Sequence, residues 1–348
     1  MKFYTKQHDY YCGIDLHARC LYVCILNQTG DIVLHKNIKA TPEALLKLIQ
    51  PFRSDLVIGV ECMFTWYWIA DLCADTGIEF VLGHALYMKA IHGGKAKNDK
   101  IDSHKIATLI RGGMFPLAYV YPRPMRATRD LMRRRMHLMR KRAELMAHIH
   151  NTNSQYNHPV IRQDLRHGRN RVDLSARFAD ISTRKSIELD LSLIDFYDDE
   201  LNKVEWFIQK QANQVDKQSL AILRSIHGIG MILSLVILYE IGDIQRFPRV
   251  QDFVSYSRLV KCKKESAGKV YGSSGKKIGN AFLKWAFSEA AVLFLKGNPE
   301  AKAWLEKKAN QYNKAKALTI LAHKLGRAVY VMLKHKTVFD QQRLLGSH

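Results

Sequence analysis

Asp55 to Glu61 reads DLVIGVE, an unbroken apolar run closed by an acid. A half-exposed strand would alternate apolar and polar side chains, so a continuous run marks a strand covered on both faces. Such a strand needs layers of structure on either side, and its neighbours in the chain supply them. Tyr11 to Leu16 reads as a short strand with Asp15 near its end, and Leu21 to Leu26 as a second, rich in Val, Cys and Ile. The turn Asn27–Asp31 offers Gly30 for positive φ, and Ile32 to Lys36 returns as a third strand. Thr41 to Pro51 has the marks of a helix start: Thr41 as N-cap, Pro42 in the first position and Glu43 in the first turn. Beyond Glu61 come a helix at Trp66–Asp75, a strand at Ile78–Leu82 and a helix or loop at His84–Ile91.

The next stretch, Lys95 to Ala107, is KAKNDKIDSHKIA. On a helix Asp99 and Asp102 share one face, because positions three apart are surface neighbours. Two carboxylates held that close repel unless a cation lies between them, and Mg2+ favours carboxylate and phosphate oxygens. The ordinary alternative is a solvated helix start whose acids face a favourable dipole. The element order β-β-β-α-β-α-β-α is that of a ribonuclease-H-like fold. Asp15 and Glu61 then fall at strand positions whose side chains can converge on one edge of the sheet. Singly, each is an ordinary strand-end acid. With Asp99 and Asp102 they form a four-carboxylate pattern at the positions where that fold holds metal.

The chain carries 54 Lys and Arg against 32 Asp and Glu, a formal net charge of +22. An excess of this size repels itself in the folded state and favours a polyanionic partner, nucleic acid first. An anionic membrane surface is the weaker reading, since no apolar run approaches the roughly 18 residues of a span. The start, MKFYTKQHDYYCG, has no apolar core followed by a small-residue cleavage site, and the six cysteines include no CxxC pair. Five cysteines fall in segments that read as buried, where a free thiol behaves as a small hydrophobe. A cytoplasmic protein without zinc is the expectation.

From Arg123 to Arg142 nine Arg and Lys stand against one acid, Asp130, and Arg126 to His150 reads as a long helix. Leu131, Leu138 and Leu145 repeat at seven beside Met132, Met139 and Met146, a heptad-like packing stripe. The clusters Arg133-Arg134-Arg135 and Arg140-Lys141-Arg142 are then either solvated or candidates for phosphate contact. Residues 151–185 are polar and basic and read as an irregular segment ordered by a polyanion. In residues 186–214 the charge reverses: Asp195, Asp198, Asp199 and Glu200 flank apolar positions at helical spacing. This reads as the second arm of a helical hairpin, whose acids could pair with the basic helix before it.

Ser225 to Gly242 resembles a helix-hairpin-helix, its Gly228-Ile229-Gly230 turn able to offer amides to a phosphate. Asp243 to Arg258 reads as a second small helical unit. From Lys261 to Lys284 there are seven lysines and one acid. Four glycines, Ser266, Ser273 and Ser274 there indicate a flexible loop exposing amides, hydroxyls and Lys263, Lys264, Lys269, Lys276 and Lys277. A serine is a weak nucleophile unless a base or metal activates it, and the loop holds no His. A DNA-contacting loop without chemistry is the plainer reading. A strongly apolar helix at 280–295 and two basic-sided helices at 299–338 follow. The expected division is 1–120, a helical linker at 121–215, and 216–348.

These residues together resemble the transposases, or recombinases, of insertion-sequence family one-ten and its relatives. GIDLHA with Asp15, GVE with Glu61, and KNDKIDSHKIA with Asp99 and Asp102 resemble the family's RuvC-like DEDD domain. HGIG, LYEIGDIQRFP and ESAGKVYGSSGKKIGN resemble its second domain, which reads G-I-G, E-I-G-D-I-x-R-F, S-G-G-K and, further on, G-N. Ser266-Ala267-Gly268-Lys269 fills the S-G-G-K position, with Ala267 where Gly is usual, and Gly279-Asn280 falls at about the expected distance. The stretch before Gly279 departs from the Arg-rich segment usual in the family, so Ser273 and Ser274 compete with Ser266, which motif register favours.

The resemblance implies a RuvC-like domain, a coiled-coil linker and a mostly helical C-terminal domain. It implies a site-specific DNA recombinase in which Asp15, Glu61, Asp99 and Asp102 hold Mg2+, or Mn2+, at the scissile phosphate. Ser266 would attack that phosphate and form a covalent phosphoserine link to DNA. The implied partners are DNA, a guide (bridge) RNA encoded by the element, and further copies of the chain, as a homodimer assembling to a tetramer. Two other readings stand beside it: a RuvC-like nuclease hydrolysing branched DNA with water, and a non-catalytic nucleic-acid-binding protein.

Overall fold

The computed structural model describes residues 2–91, 98–212, 216–274 and 278–346, and the chain divides into two units, Met1–Arg123 and Pro124–His348. Lys95, Lys97, Lys276 and Lys277 lie outside the described residues. In the first unit, β1 (Phe3–Tyr4) leads to an antiparallel meander of β2 (Tyr10–Leu16), β3 (Cys20–Asn27) and β4 (Ile32–Lys39). α1 (Pro42–Ile49) is capped by Thr41, whose Oγ1 accepts the Ala44 N–H, and a 3-10 turn (Gln50–Asp55) leads into β5 (Leu56–Glu61). α2 (Tyr67–Thr76), β6 (Glu79–Gly83), α3 (Ala85–Ile91), α4 (Asp99–Arg111) and β7 (Phe115–Pro116) complete the unit, β7 pairing with β1. The sheet order is β4-β3-β2-β5-β6, with β5 parallel to both β2 and β6. As its apolar run requires, β5 lies inside the sheet and Leu56 to Val60 are buried.

Side chains alternate along a strand, so the two faces of the sheet carry different sets. Cys12, Ile14, Leu16, Ile58 and Val60 pack with Leu45 and Ile49 of α1 and with Ile69 and Cys73 of α2. The opposite face presents Tyr11 and Val57 to Ile106, Leu109 and Ile110 of α4. On that face both strands read aromatic or apolar, glycine, acid: Tyr11-Gly13-Asp15 in β2 and Val57-Gly59-Glu61 in β5, with Gly13 opposite Gly59.

Gly13 sets how close α4 can come. A Cβ there would lie 2.3 Å from both the Ala107 nitrogen and the Ser103 oxygen, which are backbone atoms of α4. At Gly59 a Cβ would lie 2.3 Å from Ile110 Cδ1, the tip of a side chain that can turn away. Contact through bare backbone lets α4 lie on β2 with its first turn, Asp99 to Asp102, near the end of that strand.

In the second unit α5 (Arg123–Gln155) and α6 (Ile181–Ala212) run antiparallel. Arg135 meets Glu205, Arg142 meets Asp198 and His148 meets Asp190, one number falling as the other rises. The acids of α6 thus pair with the basic helix. The segment between the helices needs no polyanion to be ordered, contrary to its composition. Ile161, Leu165, Leu174 and Phe178 are buried with Ile149, Ile187 and Ile194, and buried Arg171 donates to the Leu165 carbonyl, Asp195 and Asp198. One guanidinium with several acceptors can organise a loop that shows no periodicity.

α7 (Lys217–Arg224), α8 (Met231–Ile241) and α9 (Val250–Tyr256) share a core with later helices around Phe253, Phe287, Phe294 and Leu325. The glycine-rich stretch expected to be a flexible loop is instead a hairpin, β8 (Cys262–Ser266) and β9 (Lys269–Ser274). Its lysines and serines lack the alternating apolar positions that mark a strand packed on a core, so pattern reading passes over it. α10 (Ala281–Phe294), α11 (Pro299–Gln311), α12 (Lys314–His335) and α13 (Gln341–Leu345) complete the unit. Cys62 is exposed, against expectation, while Cys12, Cys24 and Cys73 are buried and burial pushes the Cys73 thiol up to about 12. Among the described residues no helix is long and apolar enough to cross a membrane.

Gly13→Ala forces a backbone to move and is expected to cost about 1–3 kcal/mol or more, as overpacking does. Gly59→Ala meets a rotatable side chain and costs less. Thermal unfolding of the two variants checks the order; equal loss in both would mean that Gly13 does not seat α4.

Candidate functional site

The alternation that points Tyr11 and Gly13 at α4 points Asp15 the same way, at the end of β2. α4 brings Asp99 and Asp102 in its first turn, and Asn98 caps the helix through Oδ1 on the Ile101 N–H. His35 on β4 braces that turn: its Nε2 lies 3.1 Å from both the Lys100 carbonyl and Ser103 Oγ.

His17, one residue beyond the strand, lies between two of these acids. Its Nε2 is 3.4 Å from Asp15 Oδ2 and 3.5 Å from Asp99 Oδ1, and the three side chains place ligand atoms within 4.8 Å of one another. Burial pushes the Asp15 carboxyl above its usual range; His17 opposes the shift, and the charges of Asp99 and Asp102 add to it. Asp102 holds Lys105 Nζ at 3.3 Å. Glu61 ends β5 one rung beyond the Ile14–Val60 pair, half-buried and on the face of Asp15, but its carboxylate is outside the group of three. The structure therefore gathers Asp15 and Asp99 with His17, keeps Asp102 within electrostatic reach, and sets Glu61 at the same sheet edge.

This donor set fits a divalent cation. Asp15 is half-buried beside like charges, so a cation there offsets a repulsion that the fold itself creates. Carboxylates suit Mg2+ and Mn2+, whereas an imidazole among the ligands is tolerated better by Mn2+ than by Mg2+. His17 was not singled out from the sequence. The signal was present as the Asp15-Leu16-His17 spacing, which carries a second donor just past a strand end.

The second unit contributes a different kind of cluster. Glu240 of α8 is buried, and it accepts from Arg129 at 3.1 Å, from Arg133 at 2.7 and 2.8 Å and from Asn280 Nδ2 at 2.7 Å. Burial alone would raise its carboxyl; the bonds and charges of Arg133 and Arg129 outweigh that and hold it below its usual range. Asn280 also caps α10 through Oδ1 on the Phe282 and Leu283 N–H groups. In the same motif Arg246 donates to the Ile241 carbonyl and lies over the Phe247 and Tyr256 rings. The E-I-G-D-I-x-R-F and G-N residues thus act largely as framework.

That framework uses several cations expected at phosphates. Arg133 is held by Glu240, buried Arg135 by Glu205, Arg142 by Asp198, and Lys141 by Glu144 at 2.8 Å. Arg134 and Arg140 are exposed on the same helix. Ser266 and Lys269 are exposed and form the last rung of the β8–β9 hairpin. Ala267 and Gly268 make its turn at φ 48° and 74°, a pair of left-handed residues as a two-residue hairpin requires. Ala267 therefore sits where glycine is favoured. The side chains of Lys263, Lys264, Ser273 and Ser274 lie outside the described part of the hairpin.

Two outcomes follow. Asp15→Asn removes a half-buried charge from an acidic group and is expected to raise the metal-free Tm, by roughly 3–5 °C per kcal/mol relieved. The variant should also lose any Tm increase that Mg2+ or Mn2+ gives the wild type; an increase of wild-type size would exclude Asp15 as a ligand. For Glu240, a depressed folded pKa means stability that is full above the unfolded carboxyl value and lost as pH falls through the folded one. Acid titration of stability should show this loss in the wild type and not in Glu240→Gln. Glu240→Ala, which strands Arg129 and Arg133, should cost about 3–5 kcal/mol at neutral pH.

Comparison with known proteins adds to this geometry. A family model for transposases of the DEDD type in the IS110 family matches residues 12–158. A second, described as "Transposase IS116/IS110/IS902 family", matches residues 220–306. No curated protein matches the chain. The first match spans the sheet, α4 and its acids; the second spans Glu240, the hairpin and Asn280. The chain belongs to the IS110 family of transposases and is a DNA transposase, or recombinase.

Proposed function

We propose that this transposase cleaves and exchanges DNA strands with two separate sets of groups: a divalent metal held by Asp15, Asp99, Asp102 and Glu61, with His17 beside them, and a nucleophile, Ser266. The observation that carries the reading is the Asp15–His17–Asp99 group, formed where the ends of a ribonuclease-H-like sheet and the start of α4 meet. The sheet order, with β2 central between an antiparallel meander and two parallel strands, supports that fold.

When bound, Mg2+ or Mn2+ supplies charge stabilisation at the oxygens of the reacting phosphate. The residues of the chain do the rest. Asp15 and the first turn of α4 fix where the phosphate sits, with Lys105 beside them to favour its approach, while the exposed Arg134 and Arg140 of α5 are free to meet other phosphates of the nucleic acid. Ser266, exposed at a hairpin tip, presents a hydroxyl that can be brought to the phosphate. Its Oγ loses its proton to solvent as it bonds to phosphorus, the bond to one sugar oxygen breaks, and that oxygen takes a proton from solvent and leaves as a hydroxyl. Rejoining reverses these steps with a different strand end. Residues 1–120 and 216–348 then act as the metal-holding and serine-bearing parts, with 121–215 as the arm between them.

The net charge of +22 suits a guide RNA as well as DNA. Leu189, Leu193 and Phe196, exposed on α6 at heptad spacing, suit pairing with a second copy, as a dimer or tetramer requires. A DNA substrate is consistent with action in the cytoplasm.

The test is a covalent adduct. With a divalent metal and element-end DNA, the wild type should leave a protein–DNA adduct that resists SDS. Ser266→Ala should lose the adduct and fall at least about 10³-fold in strand exchange, as loss of a nucleophile does. Asp15→Asn should bind DNA but not cut it. If Ser266→Ala cuts and rejoins like the wild type, Ser273→Ala and Ser274→Ala are examined next, and adduct-free cutting in all three means that water is the nucleophile.

A further inference from the structure

Beyond the hairpin the chain folds back on itself. α12 runs to His335, and the segment 337–344 returns along its side, leaving a cavity of about 530 Å³ between them. One part of the wall is basic, with the cations Lys324 and Arg327 of α12 beside His323, and another is apolar, formed by Val331, Phe339 and Leu344. Positions 324, 327 and 331 lie on one face of the helix, so charge and apolar surface adjoin along it.

The cations have little to balance them. Among the described residues no carboxylate pairs with Lys324 or Arg327, and Lys324 lies over the Trp304 ring at 5.6 Å. Burial lowers the affinity of Lys324 for its proton, and nearby Lys308 adds to this; burial and Arg327 do the same to His323. The carboxylate on the wall, Asp340, is engaged as the cap of α13, accepting the Arg343 N–H at 3.0 Å. Holding Lys324 and Arg327 together with no carboxylate bonded to either is unfavourable in the protein alone, and an anion relieves it.

Size and chemistry narrow what that anion is. The volume matches a small-ligand pocket, and a duplex, whose bases are stacked inside, cannot place a base in it. Single strands are bound by combining cations along the backbone with apolar or aromatic surface for the unstacked bases. We propose that this cavity takes one unstacked nucleotide of a single nucleic-acid strand, with its phosphate on Lys324 and Arg327 and its base against Val331, Phe339 and Leu344. The proposal rests on the enzyme's action on nucleic acid, and on neither the metal group nor Ser266. The strand is opened DNA or RNA; both offer the same phosphate and base.

The test is fluorescence anisotropy on the full chain without metal, with three probes of one sequence: single-stranded DNA, single-stranded RNA and duplex DNA. Val331→Trp fills the cavity and keeps its charges. It should weaken binding of at least one single strand about fivefold or more and leave the duplex unchanged. Lys324→Ala with Arg327→Ala should weaken the same strand about tenfold and reduce its salt slope by about 0.7, the value for one phosphate no longer neutralised. Whichever strand responds identifies the source. All three probes are read without metal, so the outcome does not depend on the metal reading. Circular dichroism establishes that each variant is folded. If folded Val331→Trp binds both single strands like the wild type, the proposal is overturned. An equal loss on the duplex overturns it too, because a general basic surface then explains the binding. A poly-glutamate peptide that Val331→Trp releases while strand binding stays unchanged would overturn it in favour of a protein partner.

Discussion

Everything at the acidic end of the sheet depends on how closely α4 lies on β2. Helices normally rest on a sheet through side chains, with a layer of apolar groups between. Here Gly13 removes that layer at one point, and the backbone at Ser103 and Ala107 comes within contact of the strand. The consequence is positional: the first turn of α4 reaches the strand end, and Asp99 comes within reach of His17 and Asp15. A carboxylate group of this kind is repulsive in itself. It is held together because the apolar contacts of Tyr11, Val57, Ile106 and Ile110 below it fix the helix. The fold therefore imposes the repulsion, and a cation at the group would offset it.

The second unit answers a different problem. A chain of net charge +22 has more cations than it can leave on a folded surface without strain. Several are taken inward. Glu240 holds Arg129 and Arg133, Glu205 holds Arg135, and Asp198 with Asp195 holds Arg171. Removing one partner from such a pair is costly, because the remaining charge stays buried. Glu240 also reaches Asn280, so one carboxylate ties α5, α8 and the cap of α10 together. Motif residues that look chemical in a one-dimensional reading are here partly the means by which the hairpin and its serine are carried on a rigid base.

Legibility in the sequence followed the physics of each signal. The strands of the first unit were readable because buried runs and turn residues are local: DLVIGVE, the Asn27–Asp31 turn and the Thr41-Pro42 helix start each occupy a few positions. The four acids were readable as candidates because they fall at element ends. His17 was passed over because its role depends on α4 lying above it, a contact between residues more than 80 positions apart. The β8–β9 hairpin was hidden for another reason. Two exposed strands joined by Ala267-Gly268 need backbone pairing and a left-handed turn, and neither leaves an apolar pattern. In α5 the run of arginines was legible as charge, but its division into buried and exposed members was not. That division depends on which face meets α6 and α8.

By itself, then, the sequence determined the alternation of strands and helices, the positions of Asp15, Glu61, Asp99 and Asp102 near element ends, the basic excess and the motifs that mark the family. These are set by local periodicity, turn chemistry and composition, which act over a few residues. Only the tertiary structure decided that Asp15, His17 and Asp99 meet while Glu61 stands apart from that group. It also decided that Arg133 and Arg135 serve the framework while Arg134 and Arg140 face solvent, and that α12 and the returning chain enclose a cationic cavity. Each of these depends on how close two distant segments approach, and that distance is set by packing: a missing Cβ at Gly13, a buried carboxylate at Glu240, and a chain reversal after His335.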